Sequence, residues 1–417
     1  MPPRMPVKVL WSCLLALCLL PLQSARGAVP GTAPPGRRFL MAHYLPWFEA
    51  RPFSPRWGWH WTMDRFHPEH VVAGQPEIAS HYHPLIGPYD SGDPEAVECQ
   101  LLLMKLAGID GVVIDWYGSD EYRDYGVINR NTLRLIPLLQ KAHMRFAICY
   151  EDQSVPYEIA GGVFPASEAV LHGQRAMQKM QSHFFSSPAY LTVDGRPVLL
   201  SFGAPYYADR QWEQMFSALP RKPFYLTETV QRAGASAAGA FDWPLPQGGT
   251  EQALGAQDRF CRAASSWTLC AAVAFPRFHD IYQEAGVGKS WGFAADREGQ
   301  TYADTLTKAL RSPARIVQIA TWNDWGEGTQ IEPSVEFGIR DLITTQQGRR
   351  QIWGPGFGGT ASDLRLPTEW YLLCKKYAGS PVVHAKLAAF FPLVVSGRLK
   401  QARALLAGYR QAPQGKK

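Results

Sequence analysis

Cysteine is scarce in this chain. Of the seven present, Cys13 and Cys18 lie in an N-terminal apolar run. The other five, Cys99, Cys149, Cys261, Cys270 and Cys374, are too few and odd in number for a disulfide scaffold. Cys261 and Cys270 are the pair best placed to bridge, around a short loop; the alternative is that all five are buried thiols. No Cys-x-x-Cys spacing points to a metal. No Gly-x-Ser-x-Gly elbow is present, which argues against an esterase. No glycine-rich phosphate loop follows the first strand, so nothing supports a nucleotide fold. Excess charge is also small. Three of the 42 basic residues (Arg4, Lys8, Arg26) precede residue 28 and no acid does, so the remainder carries 39 basic against 36 acidic residues, +3 rather than +6. A nucleic-acid partner is not implied.

The apolar run, Val9–Leu20, is too short for a good membrane span. With Arg4 and Lys8 before it and Ala25-Arg26-Gly27 after it, residues 1–27 read as a secretory signal peptide. The expectation is a secreted or periplasmic protein with no stable membrane insertion after cleavage. Residues 28–37, rich in Pro, Gly and Ala, read as a mobile leader.

What the chain has in excess is aromatic: 14 Trp and 17 Tyr. Most belong to ordinary packing, but indole and phenol faces also suit the apolar faces of sugar rings. From Arg38 onward, short β-type runs alternate with helical stretches. The strands expected are Arg38–Tyr44, Asp110–Trp116, Arg145–Tyr150, Ala189–Val193, Pro197–Phe202, Phe224–Thr227, Gly239–Trp243, Leu269–Phe275 and Ile316–Trp322. Helical spacing covers Glu95–Ala107, Asn131–His143, Glu168–His183, Arg210–Ala218 and Tyr302–Ser312. This alternation predicts an α/β fold, a (β/α)₈ TIM barrel over 38–345; a doubly wound open sheet is the runner-up. Residues 346–417 read as a loop and three helical stretches packed on the barrel.

Barrel chemistry sits at the C-terminal ends of strands. The polar and aromatic residues there are Tyr44 and Trp47, then Asp115, Trp116 and Tyr117, then Glu151, Glu228, and finally Asn323, Asp324, Trp325 and Glu327. Asp324 and Glu327 are three residues apart, a spacing that puts both carboxyls on one side of a helical turn. Glycosidic cleavage needs two acids, one protonated to donate to the leaving oxygen and one ionised. Close carboxyls among Trp residues push their proton affinities apart. The competing reading is a helix cap on a solvated face. Asn323, one of three asparagines, is a candidate for binding a sugar hydroxyl.

The segment Trp322-Asn323-Asp324-Trp325-Gly326-Glu327-Gly328-Thr329-Gln330-Ile331-Glu332-Pro333 resembles the active-site segment of glycoside hydrolase family 99, the endo-α-mannosidase and endo-α-mannanase family, with its Asn-Glu-Trp-His-Glu-Gly-Thr-Gln-Ile-Glu run. Its Asn-Asp-x-Gly-Glu part also resembles family 71, the α-1,3-glucanases. Tyr44-Leu45-Pro46-Trp47, Pro84–Ser91 with Asp93-Pro94, and Gly108–Tyr117 are similar to further segments of these relatives. The resemblance implies a barrel glycosidase acting on α-linked polysaccharide or oligosaccharide, without cofactor or metal. It implies Glu327 as general acid/base, Asp324 as the residue that deprotonates the sugar's 2-hydroxyl, and Glu151 as a substrate ligand. Family 99 has Glu where this chain has Asp324, as family 71 does. Asp324 therefore either approaches a closer substrate or activates water.

Two rivals remain open: a non-catalytic glycan-binding barrel, and a metal-dependent hydrolase built on His81 and His83. Trp57, Trp59, His60 and Trp61 form an aromatic knot, either a cleft wall or a packed loop. Arg277 and Asp280 read as an ion pair, or as sugar ligands.

Overall fold

The computed structural model describes residues 36–410. The signal segment 1–27, and most of the 28–37 leader, lie outside them. Eight parallel strands close into one barrel: β1 (Phe39–Tyr44), β2 (Gly111–Trp116), β3 (Arg145–Tyr150), β4 (Arg196–Ser201), β5 (Phe224–Glu228), β6 (Gly239–Phe241), β7 (Leu269–Ala274) and β8 (Ile316–Ile319). Each strand pairs with the next, and β8 returns to β1 with Phe39 opposite Ile316. The expected (β/α)₈ barrel is therefore what forms.

The strands are apolar on both sides because both are buried. Met41, Val113, Ala147, Cys149, Leu200, Leu226, Ala271 and Val273 fill the barrel interior, while Leu40, Ala42, Ile114, Ile148 and Leu199 face the helices. This twofold alternation decides which strand-end residues reach the barrel mouth.

The surrounding helices are α1 (Pro94–Ala107), α2 (Tyr125–Lys141), α3 (Ala169–Met180), α4 (Asp209–Phe216), α5 (Thr250–Ala263), α6 (Gln300–Arg311) and α7 (Arg340–Trp353). Local signals fix α1 well: the Asp93 side chain accepts from the Glu95 N–H, Pro94 opens the helix, and Gly108 ends it at a φ of 87°. Helices α5 and α7 bury polar side chains on their inner faces. Buried Gln257 on α5 donates to Val273 O and Thr305 O, and buried Gln346 on α7 donates to Leu106 O. Residue 345, where the barrel was set to end from the sequence, falls inside α7.

Ala189–Val193 leads into the fourth strand: Thr192–Val193 pairs antiparallel with Arg196–Pro197 as a hairpin into β4. Two expectations need correction. The C-terminal stretch forms four helices, α8 (Leu366–Lys376), α9 (Pro381–Leu387), α10 (Phe390–Val395) and α11 (Leu399–Arg410), where three were read. Cys261 and Cys270 do not bridge: all five cysteines of the described residues are free thiols, and Cys261 is only partly buried. Among the described residues no helix is long and apolar enough to cross a membrane.

Candidate active site

The barrel mouth collects carboxyls from several strands. β1 contributes His43, β2 Asp115, β3 Glu151, and the turn after β8 contributes Asp324 and Glu327. His43 and Asp115 are each 2% exposed, and His43 Nε2 lies 3.8 Å from Asp115 Oδ1. The His43 ring meets Trp243 edge-on at 4.8 Å, and its Nδ1 has no partner. Burial holds its pKa down at about 4, so the imidazole is neutral.

Asp115 and Glu151 lie close enough to share a proton. Burial pushes the Asp115 carboxyl up to about 8, with the Asp324 charge adding to it. Burial, then the Asp115 charge, raises Glu151 well above the usual carboxylate range. Gln153 Nε2 donates to Glu151 Oε2. Glu228, at the end of β5, accepts from Gly203 N at 3.0 Å and from Arg232 at 3.2 Å.

The turn 324–327 is built by its own backbone. Asp324 N–H donates to Thr321 Oγ1 (2.7 Å), and Glu327 N–H donates to Asp324 Oδ1 (2.9 Å). The capping geometry weighed from sequence is therefore realised, but no helix follows: the chain turns back through Gly328 at a φ of 67°. A side chain at Gly328 would meet His279 O at 2.7 Å.

The two carboxyls differ. Burial raises Asp324 to about 6, opposed first by the Glu327 N–H and then by the nearby His60 imidazole. Glu327 is pushed well above its usual range by burial, then by the charges of Asp324, Asp280 and Glu151. The Tyr282 hydroxyl faces Glu327, and Glu327 Oε2 is buried without a hydrogen-bond partner. One acid holding its proton beside one that releases it is the arrangement general acid catalysis requires.

The remaining strand-end residues divide by parity. Tyr44 faces the helices and donates to Gln100 Oε1 at 2.7 Å. Trp116 also points outward, packs on Tyr150 and Phe184, and donates to Asn129. Asn323 is wholly buried: its Oδ1 accepts from Leu45 N, and its Nδ2 donates to Leu45 O and Tyr89 Oη. Trp325 Nε1 donates to Glu332 Oε2 at 3.2 Å. These four, offered from sequence as substrate ligands, form the scaffold behind the site. Their polar atoms are already engaged, and Glu332 gathers Tyr89, Gln100 and Trp325.

Trp47 and Tyr117 remain half-buried at the mouth. Trp47 stacks flat on His60 at 3.9 Å, Trp59 stands edge-on to His60 and is 41% exposed, and His60 Nε2 lies 2.9 Å from Asp124 Oδ2. Met63 closes on Gly326, so the aromatic knot borders the catalytic turn. Arg277 does not pair with Asp280. It pairs with Asp296 and Asp341, while Asp280 accepts from Ser290 and Trp291 N. His81 stacks on His279 at 3.7 Å and reaches Asp280 O and Glu284, whereas His83 pairs with Glu336. They do not meet at one point.

His43, Tyr282 and Gln318 were not singled out as site residues from sequence, and His60 entered only as part of the aromatic knot. His43 shares its parity with Asp115 and Tyr117, and Gln318 is the one polar residue within Ile316–Ile319; both were available signals.

An eight-stranded parallel barrel with carboxyls of divided proton affinity at its C-terminal mouth has the architecture of a glycoside hydrolase. Residues 162–347 match the model of glycosyl hydrolase family 71. The chain is 22% identical to the glycoprotein endo-alpha-1,2-mannosidase of Mus musculus over 72% of its own length and 69% of that protein's. It is 23% identical to a glycoprotein endo-alpha-1,2-mannosidase-like protein of Homo sapiens over 70% and 65%. The GH99 endo-alpha-mannosidase of Bacteroides thetaiotaomicron shares the fold with a TM-score of 0.56 at 16% identity, over 75% of this chain and 97% of that one. The chain is thus similar to glycoside hydrolases of families 71 and 99, the families that the motif after β8 resembles.

Proposed function

We propose that the protein hydrolyses α-linked glycans of the mannan or glucan type, with Glu327 as the acid that protonates the leaving oxygen and Asp324 as its anionic partner. The observation that supports this most is the electrostatic division of one short turn. Asp324, at about 6, is ionised near neutrality, while Glu327 keeps its proton and presents an unpartnered Oε2. Asp324 then takes a proton either from the substrate's own hydroxyl or from a water. Asp115 and Glu151, sharing a proton, offer both a donor and an acceptor to sugar hydroxyls. Trp47, Tyr117 and Glu228 line the same mouth. The reaction proceeds without a cofactor, and residues 1–27 direct the chain out of the cytoplasm.

The test is release of sugar from α-mannan and α-1,3-glucan by the purified protein, with the anomer of the first product followed by NMR. The α-1,2-mannosidase names of the relatives make α-1,2-linked mannose the first linkage to try. Glu327→Gln is expected to lower kcat by about 10²–10⁴-fold. No release from any α-glycan, with Glu327→Gln behaving as the parent, would overturn the assignment.

A further inference from the structure

A second convergence of ligating side chains lies outside the 324–327 turn. Asp120 sits on the loop between β2 and α2, Glu158 on the short helix Val155–Ala160 after β3, and His172 on α3. One donor atom from each lies within 4.8 Å of the other two. Glu158 is 0% exposed, yet neither of its carboxylate oxygens has a hydrogen-bond partner. Among the described residues no ion pair includes Glu158. His172 Nε2 stands 2.6 Å from Asp120 Oδ2, and His172 Nδ1 is buried without a partner. The ring is held flat against Phe164 at 4.0 Å.

A carboxylate sealed from water holds either a proton or a cation. Glu158 packs beside Asp120 and the His172 imidazole, and among the described residues no donor is in hydrogen-bond contact with either of its oxygens. We propose that Asp120, Glu158 and His172 form a binding site for a divalent cation of the zinc class, fastening the loop after β2 to α3.

The donor set decides the class. One imidazole with two carboxylates suits zinc, with water completing the coordination. Calcium and magnesium favour all-oxygen shells. The Asp120 side chain is 30% exposed, which leaves a route from solvent. The site is separate from the acids at 324 and 327, so its role is to position. The loop it would tie down carries Tyr117 at the barrel mouth and leads to Asp124, the partner of His60 in the aromatic wall.

The experiment uses the whole mature protein, stripped with a chelator and titrated with zinc chloride by calorimetry, with metal content then measured by mass spectrometry. One equivalent of zinc is expected, together with a rise in Tm that calcium chloride does not reproduce. Glu158→Gln keeps the shape and removes the charge, and should weaken zinc binding at least about tenfold and abolish the Tm rise. Asp120→Asn, at a half-exposed position, should weaken it likewise and stands in should Glu158→Gln fail to fold. Absence of zinc uptake would overturn the site, as would calcium binding in its place. Equal zinc binding by both variants would also overturn it and would place the ion on other histidines. A Glu158 that simply keeps a proton gives the first of these results.

Discussion

Asp324 and Glu327 stand on one turn yet meet different surroundings. Asp324 receives a backbone N–H and lies near two imidazoles; Glu327 has a tyrosine hydroxyl and three acids around it. Activity that needs the first ionised and the second protonated should rise as pH passes about 6 and fall again where Glu327 releases its proton. A profile of kcat/KM against pH checks this: Asp324→Asn should remove the acid limb from the residual activity, and Glu327→Gln the alkaline one. Asp242 makes a separate case, for stability. Its carboxyl is buried, its Oδ2 has no partner, and burial raises it from 3.8 to about 8. The folded state therefore keeps a proton that the unfolded chain releases. Its contribution to stability is full below about pH 4 and is lost as pH rises through 8. Asp242→Asn should flatten that decline by on the order of a few kcal/mol, read as Tm or urea midpoint between pH 5 and pH 8. An unchanged slope would show that Asp242 is not a source of the loss. At this scale the strand-end acids, Trp47 and Tyr117 lie at the mouth where the sequence put them, whereas Tyr44, Trp116 and the Asn323 amide do not. Tyr44 and Trp116 fall one residue off the inward set that holds His43 and Asp115, and a single step in a strand reverses the face. Asn323 and Trp325 belong to the recognised motif, but as its supporting half.

Elements with a strong local code were readable, and elements held by tertiary polar contacts were not. The barrel strands are short apolar runs bounded by turn residues, and all eight begin within one residue of the expected start. Helix α1 announces itself by its cap, its Pro94 and its Gly108. Helix α7 instead buries Asp341, Thr345 and Gln346, so its inward face looks like a solvated one in sequence. Asp341 faces inward because Arg277 comes to meet it. That guanidinium has no exposed surface and joins three places: Asp296 before α6, Asp341 on α7, and Gln330 O in the segment after β8. Replacing Arg277 with Met should cost about 3–5 kcal/mol, because buried acids lose their counter-charge. Urea unfolding measures that cost. Since Gln330 is three residues beyond Glu327, kcat should fall together with stability. A stable variant with unaltered kcat would show that the segment is held by other contacts.

At the scale of the whole molecule, the question is whether the C-terminal helices form a unit of their own. Their apolar faces turn to the barrel. Trp370, Leu387, Phe390, Val394 and Leu406 belong to the same buried cluster as Leu101, Leu102 and Leu106 of α1. Trp370 also donates its indole N–H to Leu387 O at 2.9 Å, tying α8 to α9. Charge fastens the same joint, with Lys375 on α8 reaching both Asp93 and Glu95 at the start of α1. A shared core predicts shared unfolding, because neither side can expose its face alone without losing the burial that stabilises both. Calorimetry should therefore show one transition for barrel and tail together. Trp370→Ala should move that single transition down by about 3–5 kcal/mol, rather than splitting it. Two separable transitions, or a tail that melts first while the barrel's Tm stays where it was, would mean that α8–α11 are a domain laid against the barrel and not a completion of it.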